Sequence, residues 1–384
     1  MMNIDWGSFN AHIPLPPGDP GYVKPPDSVA DEIVNWIRAG KSTLLLGGPA
    51  GVGKSTELAR ACDLLKGERH SRLLYVDRYE NMRRVTPERL CLRIASLFSG
   101  ESMESLERVC SEPAELGGLS NEDARDGDRV CDILARKILV AKLHEAARSS
   151  VFGRVALFID GLEKIPLGGS VNELFGLFGS IPDSVDLVVV VPWHYTFGKR
   201  SGVLIEPEEQ FVSIRAVDMT RDSGFDFMVR LFERRVGLES DGLSLMDAMG
   251  VPDETIEERK VRVAGMTGIL AEASRMSGGS PRTFLQIMAD AGFYAYSNRL
   301  AGFPEGEDMA DACADQVDSI RRLFLPGDIE AIPASVGTDG WGLDIKRRMR
   351  LMAHGVLLER VSENGPVLCL HPQAVAVIEG GSHA

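Results

Sequence analysis

The sequence lacks the features that mark disulfide-rich, zinc-binding and membrane proteins. Its six cysteines lie far apart without a C-x-x-C pair, and no cysteine and histidine cluster has the spacing of a zinc site. The longest aliphatic run, residues 187–191, is far too short to span a bilayer. The proline-rich N-terminus has no apolar signal core. We therefore expect reduced thiols, no membrane segment and a cytoplasmic location.

A basic surplus is also lacking. The chain carries 56 acidic against 42 basic residues, a net charge of −14. This balance argues against a surface that binds nucleic acid everywhere by bulk electrostatics, but it leaves a local basic face open. With 44% hydrophobic and 26% charged residues over 384 positions, the composition is that of an ordinary globular protein of two or three domains.

What the chain does contain is a phosphate-binding loop. The apolar stretch at residues 43–46 runs into a glycine-rich segment that ends in Lys54 and Ser55, which matches G-x-x-x-x-G-K-[ST]. Glycines let backbone N–H groups point at phosphate oxygens, so Lys54 is predicted to reach the β and γ phosphates and Ser55 to bind Mg²⁺. Apolar residues at helical spacing follow, which is the context that the motif requires. The residues predicted to bind ATP or ADP here are Gly48, Pro49, Ala50, Gly51, Val52, Gly53, Lys54, Ser55 and Thr56.

A second acidic motif supplies the groups that ATP hydrolysis needs beside the loop. Asp160 ends the apolar run 155–159, where an open α/β sheet presents its ligands, and is predicted to hold Mg²⁺ through water or through Ser55. Glu163 is the candidate for polarising the attacking water. Two alternatives stay open, namely that Asp160 is a strand-end cap and that Glu163 is an exposed turn residue.

The hydrophobic pattern predicts an α/β fold, a P-loop NTPase parallel sheet with helices on both faces. Short buried runs alternate with helical stripes, which is a βαβ rhythm. A first helix is expected to start at Ser28 as its N-cap. The predicted strands are residues 43–46, 73–76, 155–159, 187–191 and 211–214, and the predicted helices between them include 87–97 and 129–147.

Four segments follow from composition and periodicity. Residues 1–27 are predicted to be a proline-rich arm laid over the first domain, and 28–217 the P-loop ATPase domain with an acidic, loop-like insertion at about 100–127. Residues 218–312 are predicted to form a helical lid domain, with a charged link at 253–260. In 313–384, helices at 315–325, 328–332 and 343–354 precede a hairpin of 355–361 and 366–370, which suggests a winged-helix-like domain.

Together, the two nucleotide motifs, residues 277–282 and the stretch 370–372 resemble the STAND and AAA+-related ATPases. The resemblance implies a nucleotide domain, a helical lid and a winged helix, with slow ATP hydrolysis. It implies that Pro281 begins a lid helix over the nucleotide and that Arg282 senses the phosphates. It also implies that His371 contacts the β-phosphate of ADP. The alternatives are a surface arginine at a helix start for Arg282, and for His371 a cap of the last helix with its neighbour Pro372.

Two expected parts of such a site have only substitutes in this sequence. His194 or Thr196 stands where a simple polar residue usually senses the γ-phosphate. Lys199 and Arg200 lie in a loop from which an arginine finger could reach a neighbouring subunit, but the pattern favours a solvated loop pair, and the arginine finger stays unassigned.

The helix predicted at 343–354 leaves the question of DNA open. At 100° per residue, its buried stripe consists of Ile345, Met349 and Met352. The opposite face carries Lys346, Arg347 and Arg350, which are the residues predicted to contact DNA phosphates if this is a recognition helix. The alternative is a solvated or protein-facing helix.

The sequence thus supports two hypotheses about function. The first is a nucleotide-controlled switch ATPase that associates with itself or with a separately encoded effector protein, in a bacterial defence or signalling system. The second is an ATP-dependent, DNA-binding AAA+ ATPase of the initiator, loader or transposition type. A nucleotide-dead scaffold is disfavoured, because Lys54, Ser55 and Asp160 are all intact.

Overall fold

The computed structural model describes most of the chain as two compact units. The described residues are 4–9, 15–16, 18–19, 21–40, 43–111, 127–165, 171–192, 211–237, 254–299, 303–332, 343–362 and 365–381. One unit, here called the sheet unit, comprises residues 29–47 and 57–213. The other, here called the helical unit, comprises residues 1–28, 48–56 and 214–384.

The sheet unit is built on five parallel strands flanked by helices, as the sequence predicts. The strands pair in the order β2-β3-β4-β1-β5, so the first strand lies inside the sheet. All residues of β3 and β4 are buried, which explains why these strands are apolar apart from Asp160 and Asp186. The strands are β1 (Thr43–Gly47), β2 (His70–Tyr75), β3 (Val155–Asp160), β4 (Val185–Val190) and β5 (Phe211–Ser213).

Helices cover this sheet and share its hydrophobic core. Leu90 and Ile94 of α3 and Leu134 and Leu139 of α5 lie in one buried cluster with the strands. The helices here are α1 (Ala30–Arg38), α2 (Lys54–Leu64), α3 (Pro87–Ser99), α4 (Met103–Ser111), α5 (Gly127–Ser149) and α6 (Val171–Phe178).

Two local predictions for this region are wrong. Ser28 is not the N-cap of α1; Val29 holds that position, and the backbone N–H groups of Val29 and Ala30 donate to the buried carboxylate of Glu57 at 2.8 and 3.0 Å. The stretch 100–127 is not simply a loop, because α4 lies within it and buries Leu106 and Cys110. With one apolar residue per helical turn, the hydrophobic pattern of this stretch was too sparse to predict α4. Residues 112–126 of that stretch lie outside the described part.

The helical unit contains the helices predicted after residue 218. Its core includes Phe227, Phe232, Leu270, Phe284 and Met288. The charged stretch 253–260 is not a link, because a capping box at Thr255 and Glu258 starts a helix at Ile256. The helices are α7 (Asp222–Arg235), α8 (Ile256–Met276), α9 (Pro281–Arg299) and α10 (Gly306–Arg321).

The N-terminal arm is part of this helical core, which corrects its predicted place over the first domain. A 3₁₀ turn at Trp6–Phe9 brings Phe9 within 5.4 Å of the Phe232 ring, measured between centroids. Ile4 and Phe9 are buried in the cluster that α7 and α9 form. The aromatic residues that anchor the arm were not predicted from the sequence, and the extended form of the arm stays a prediction, because 10–14, 17 and 20 lie outside the described residues.

The C-terminal elements follow in the predicted order. Helix α10 begins earlier than expected and runs across residue 312, where a boundary was predicted. After it come α11 (Asp328–Ala331), α12 (Ile345–Ala353), the antiparallel strands β6 (Leu357–Ser362) and β7 (Gly365–Leu370), and α13 (Pro372–Gly381). Within the described residues, no helix combines the length and apolarity that crossing a bilayer requires.

No disulfide bond forms among the cysteines, all of which the structure describes, and four of them are buried. Burial raises the pKa of Cys91 to about 12 and that of Cys110 to about 11, so both stay protonated. No group of histidine, cysteine and acidic residues suited to a metal ion occurs among the residues that the structure describes.

Candidate nucleotide site

The P-loop adopts the left-handed backbone that its glycines permit. Gly48, Gly51 and Gly53 have φ angles of 146°, 83° and 99°. A Cβ atom at Gly48 would lie only 2.2 Å from the carbonyl oxygen of Ile214, so no other residue fits there. The loop ends where α2 begins at Lys54. The backbone therefore forms a concave loop of the kind that binds phosphate groups, and it can do so because its glycines have no side chains.

Lys54 is held over this loop by the loop itself. Its ammonium Nζ donates to the carbonyl oxygens of Gly48 at 3.0 Å and Pro49 at 2.7 Å, and the residue is only 7% exposed. A buried ammonium needs such partners. Val52 is buried behind the loop, Ala50 is exposed at its tip, and Ser55 and Thr56 are partly buried in the first turn of α2. The donor set fits the phosphates and Mg²⁺ of a nucleoside triphosphate.

Residues 277–282 form a second glycine turn, here called the lid turn, that contacts the P-loop. The backbone N–H of Arg282 donates to the carbonyl oxygen of Gly51 at 3.3 Å. A Cβ atom at Gly51 would lie 2.6 Å from Oγ of Ser280 and 3.1 Å from Cβ of Arg282. Pro281 is the first residue of α9, as predicted, because proline suits a position without a hydrogen-bonded N–H. The predicted nucleotide contacts of Pro281 and Arg282 remain predictions.

The lid turn is fixed from its other side by main-chain contacts. Gly278 and Gly279 have φ angles of 60° and 83°. The N–H of Val217 donates to the carbonyl oxygen of Gly279 at 2.9 Å, and a Cβ atom at Gly279 would lie 2.0 Å from the carbonyl oxygen of Val217. Oγ of Ser280 accepts from the N–H of Thr283 at 3.3 Å and so caps α9.

His371 binds this same turn. Its Nδ1 accepts from the N–H of Gln373 at 3.3 Å, which is the helix-capping contact considered above as the alternative. The ring proton therefore lies on Nε2, which donates to the carbonyl oxygen of Ser277 at 3.0 Å. Burial lowers the pKa of His371 to about 4, so the imidazole is neutral at pH 7. Contact with a nucleotide remains a prediction for His371.

Asp160 lies at the end of β3 in the sheet unit. It is 3% exposed and in register with Tyr75 of β2, and the carboxyl ends of β1 and β3 face the same edge of the sheet. Burial and then the Asp160 charge raise the pKa of Tyr75 to about 12. Gly161 follows with a φ of 97°, and a Cβ atom there would lie 2.9 Å from Oδ1 of Asp77, so both the backbone and the space favour glycine.

Glu163 lies in the 3₁₀ turn Leu162–Lys164 directly after Asp160. It is partly buried, so it is not the exposed turn residue considered as its alternative. Its neighbour Lys164 forms an ion pair with Asp77. The turn therefore has a fixed anchor beside Glu163.

The basic face of α12 is largely occupied by ion pairs, which fits the protein-facing alternative for this helix. Asp328 is fully buried; Nε of Arg347 lies 3.1 Å from its Oδ1, and Arg350 bonds its Oδ2. Arg350 also donates to the carbonyl oxygen of Leu323. Lys346 alone of the three predicted residues is classed as exposed. The missed signal was Asp328, a carboxylate at the start of a predicted helix.

Several predictions fall on residues that the structure does not describe. His194, Thr196, Lys199 and Arg200 are among them, as is the side chain of Ile345. Sequence reasoning also missed Ser277 and Glu57 as anchors of the lid turn and of α1. An acidic residue on the otherwise apolar face of α2 was a usable signal for Glu57.

Comparison with models of protein families finds no match, and comparison with the sequences of characterised proteins finds none either. Comparison with solved structures finds low similarity along nearly the whole chain. The Aeropyrum pernix Orc1 protein, solved in complex with DNA, is 15% identical with a TM-score of 0.47, covering 98% of this chain and 96% of its own. Cdc6p from Pyrobaculum aerophilum is 14% identical with a TM-score of 0.45, at 99% and 98% coverage.

The RuvB Holliday junction branch migration motor of Thermotoga maritima is also similar. It is 12% identical with a TM-score of 0.39, covering 92% of this chain and 94% of its own. A functional assignment therefore rests on the residues of the site.

Proposed function

We propose that the chain is a P-loop ATPase of the AAA+ or STAND type that works as a nucleotide-controlled switch. The observation that carries the proposal is the hydrogen bond from Arg282 N–H to the carbonyl oxygen of Gly51. It joins the loop that would hold the phosphates to the start of α9. Any change in the backbone of the P-loop on nucleotide exchange acts directly on this bond.

The P-loop residues supply the phosphate site in this proposal. Lys54 offers its ammonium to the β and γ phosphates, Ser55 offers its hydroxyl to Mg²⁺, and Asp160 supplies the carboxylate of the metal site. Bound Mg²⁺ supplies positive charge against the charge that develops on the phosphates. The positive φ angles of Gly48, Gly51 and Gly53 and the buried Lys54 ammonium support this assignment.

The remaining proposed residues shape and read the site. Glu163 is the proposed water-polarising base, supported by its partly buried position beside the anchored Lys164. Arg282 is the proposed phosphate sensor, supported by its backbone bond to the P-loop. Because both ring nitrogens of His371 bond backbone groups, contact of His371 with ADP requires it to release Ser277.

The switch proposal assigns distinct tasks to the downstream segments. Residues 218–312 act as the lid and 313–384 as a winged-helix-like domain, held to the lid turn through His371. ATP and ADP shift the equilibrium only by binding the two arrangements with different affinity. Association with further copies of the chain, or with a separately encoded effector, is the proposed output, in a bacterial defence or signalling system.

The alternative, a DNA-binding initiator, loader or transposition ATPase, loses support at α12. Arg347 and Arg350 form ion pairs with the buried Asp328, so their first role is to stabilise the fold. A recognition helix in which Lys346 is the one exposed basic residue among those the structure describes is a weak phosphate-binding surface.

Calorimetric titration with ATP and ADP in the presence of Mg²⁺ tests the nucleotide site. We expect binding of both nucleotides by the wild type, its loss in Lys54→Ala, and slow phosphate release that Asp160→Asn abolishes. Arg38→Ala is a control variant, because this exposed arginine forms its one ion pair among the described residues with surface residue Glu68. Absence of binding by the correctly folded wild type would refute the proposal.

A further inference from the structure

The segment between β2 and α3, residues 76–86, is here called the arginine loop. Its three arginines, Arg78, Arg83 and Arg84, are all exposed. None of them has an ion pair with any residue that the structure describes. Three uncompensated cations within seven positions stand out on a chain whose net charge is −14.

The two carboxylates of the same loop cannot neutralise these arginines, because both are already paired elsewhere. Asp77 binds Lys164. Glu80 is buried and accepts hydrogen bonds from Arg89 at 2.8 Å and from Arg93 at 2.9 Å. Burial alone would raise the pKa of Glu80, but these hydrogen bonds outweigh it and hold the pKa below its usual value. At neutral pH the carboxylates of the loop are therefore ionised but paired with other cations, and the charges of the three exposed arginines are not offset.

Aromatic rings accompany the cations. Tyr79 is 59% exposed, and the Arg93 guanidinium lies 5.2 Å from the centroid of its ring. The Arg78 guanidinium lies 3.9 Å above the ring of Tyr75, which fixes its plane without neutralising its charge. An exposed ring flanked by cations offers a stacking surface next to binding sites for phosphate.

We propose that the arginine loop binds single-stranded nucleic acid, with Arg78, Arg83 and Arg84 on phosphates and Tyr79 stacked on a base. Arginine suits this task because its planar fork pairs two N–H groups with phosphate oxygens. The exposed ring favours unpaired bases over an acidic peptide, which would need the cations alone. The site is separate from α12 and goes beyond the proposed ATPase switch, whose residues it does not use.

Fluorescence anisotropy with a labelled thymidine 20-mer at 50 mM salt tests the proposal on the full chain without nucleotide. We expect R78Q/R83Q/R84Q to weaken binding at least tenfold. Its plot of log affinity against log salt should become shallower by about 2, since each lost phosphate contact on a single strand removes about 0.7. Y79A should weaken binding about fivefold or more through lost stacking.

The triple variant R108Q/K137Q/R322Q is the matched control, because it removes the same charge from exposed positions without ion pairs among the described residues. We expect it to bind within twofold of the wild type, with an equal thermal midpoint. Equal losses in both triple variants, or no binding by the wild type, would overturn the proposal. So would tighter binding of a duplex of the same length, or binding of polyglutamate in place of the oligonucleotide.

Discussion

His371 and Ser277 lie 94 positions apart in the sequence and are joined by a hydrogen bond of 3.0 Å from Nε2 to the carbonyl oxygen. The same turn that contains Ser277 continues to Arg282, whose N–H bonds Gly51 of the P-loop. One short turn therefore connects the phosphate-binding loop with the start of α13. This connection is the physical basis of the proposed switch, because a change at either end strains the other.

The buried imidazole makes stability depend on pH in a defined window. His371 has a pKa of about 4 when folded and the usual value near 6.5 when unfolded. The unfolded chain therefore binds more protons between pH 6.5 and 4, and the free energy of unfolding falls as the pH falls through that window. Between pH 7.5 and 5, the wild type should lose about 2 kcal/mol more than His371→Gln, measured by urea unfolding. Parallel losses in the two proteins would contradict the assignment.

The close contact between Gly51 and the lid turn predicts that Gly51→Ala destabilises the protein by a steric clash in addition to backbone strain. Gly51→Ala brings a Cβ atom to 2.6 Å from Oγ of Ser280, in a backbone with a φ of 83°. Gly40 has a similar φ of 73° and open space around it, so Gly40→Ala measures the backbone strain alone. We expect Gly51→Ala to lower the free energy of unfolding by at least about 1 kcal/mol more than Gly40→Ala. Equal losses would show that the lid turn yields freely.

The ion pairs of Asp328 predict that two basic residues of α12 contribute very differently to the free energy of unfolding. Arg350→Gln leaves a fully buried carboxylate with fewer partners, which should cost about 2 kcal/mol of unfolding free energy, allowing for the partial exposure of the guanidinium. Lys346→Gln changes an exposed residue and should stay within about 0.5 kcal/mol. Denaturant unfolding of both variants makes the comparison. If Arg350→Gln left the free energy of unfolding unchanged, Asp328 would not need this arginine, and Arg350 would be available to contact DNA.

The N-terminal anchor predicts coupling between Trp6 and Gly292. A Cβ atom at Gly292 would lie 2.1 Å from the Trp6 ring, so the ring occupies the space that glycine leaves. Gly292→Ala should destabilise the protein by about 1 to 3 kcal/mol through overpacking, and Trp6→Ala by about 3 kcal/mol through a lost aromatic contact. Combined, they should cost at least about 1 kcal/mol less than the sum, as measured in a double-mutant cycle. Strict additivity would mean that the arm does not pack there.

The sequence revealed those parts of the fold and site that depend on local pattern. Consecutive residues at a fixed spacing encode the P-loop, the strand before Asp160 and the helix start at Pro281. The cap of α1 by Glu57, the packing of Trp6 and Phe9 against Phe232 and the pairing of Asp328 each join residues more than 15 positions apart. Such contacts are decided by the packing of whole elements; the pattern within one element can mark a residue such as Glu57, but it does not identify the partner.

The most direct test of the switch is the mass of the protein in solution with ADP and with a slowly hydrolysed ATP analogue. Sedimentation equilibrium in the presence of Mg²⁺ measures it, with Lys54→Ala as the variant that cannot grip the phosphates. We predict a larger mass with the ATP analogue than with ADP, and no difference for Lys54→Ala. If the wild type binds both nucleotides but has the same mass with each, alone and with its co-purifying partners, the account of a nucleotide-controlled switch is contradicted.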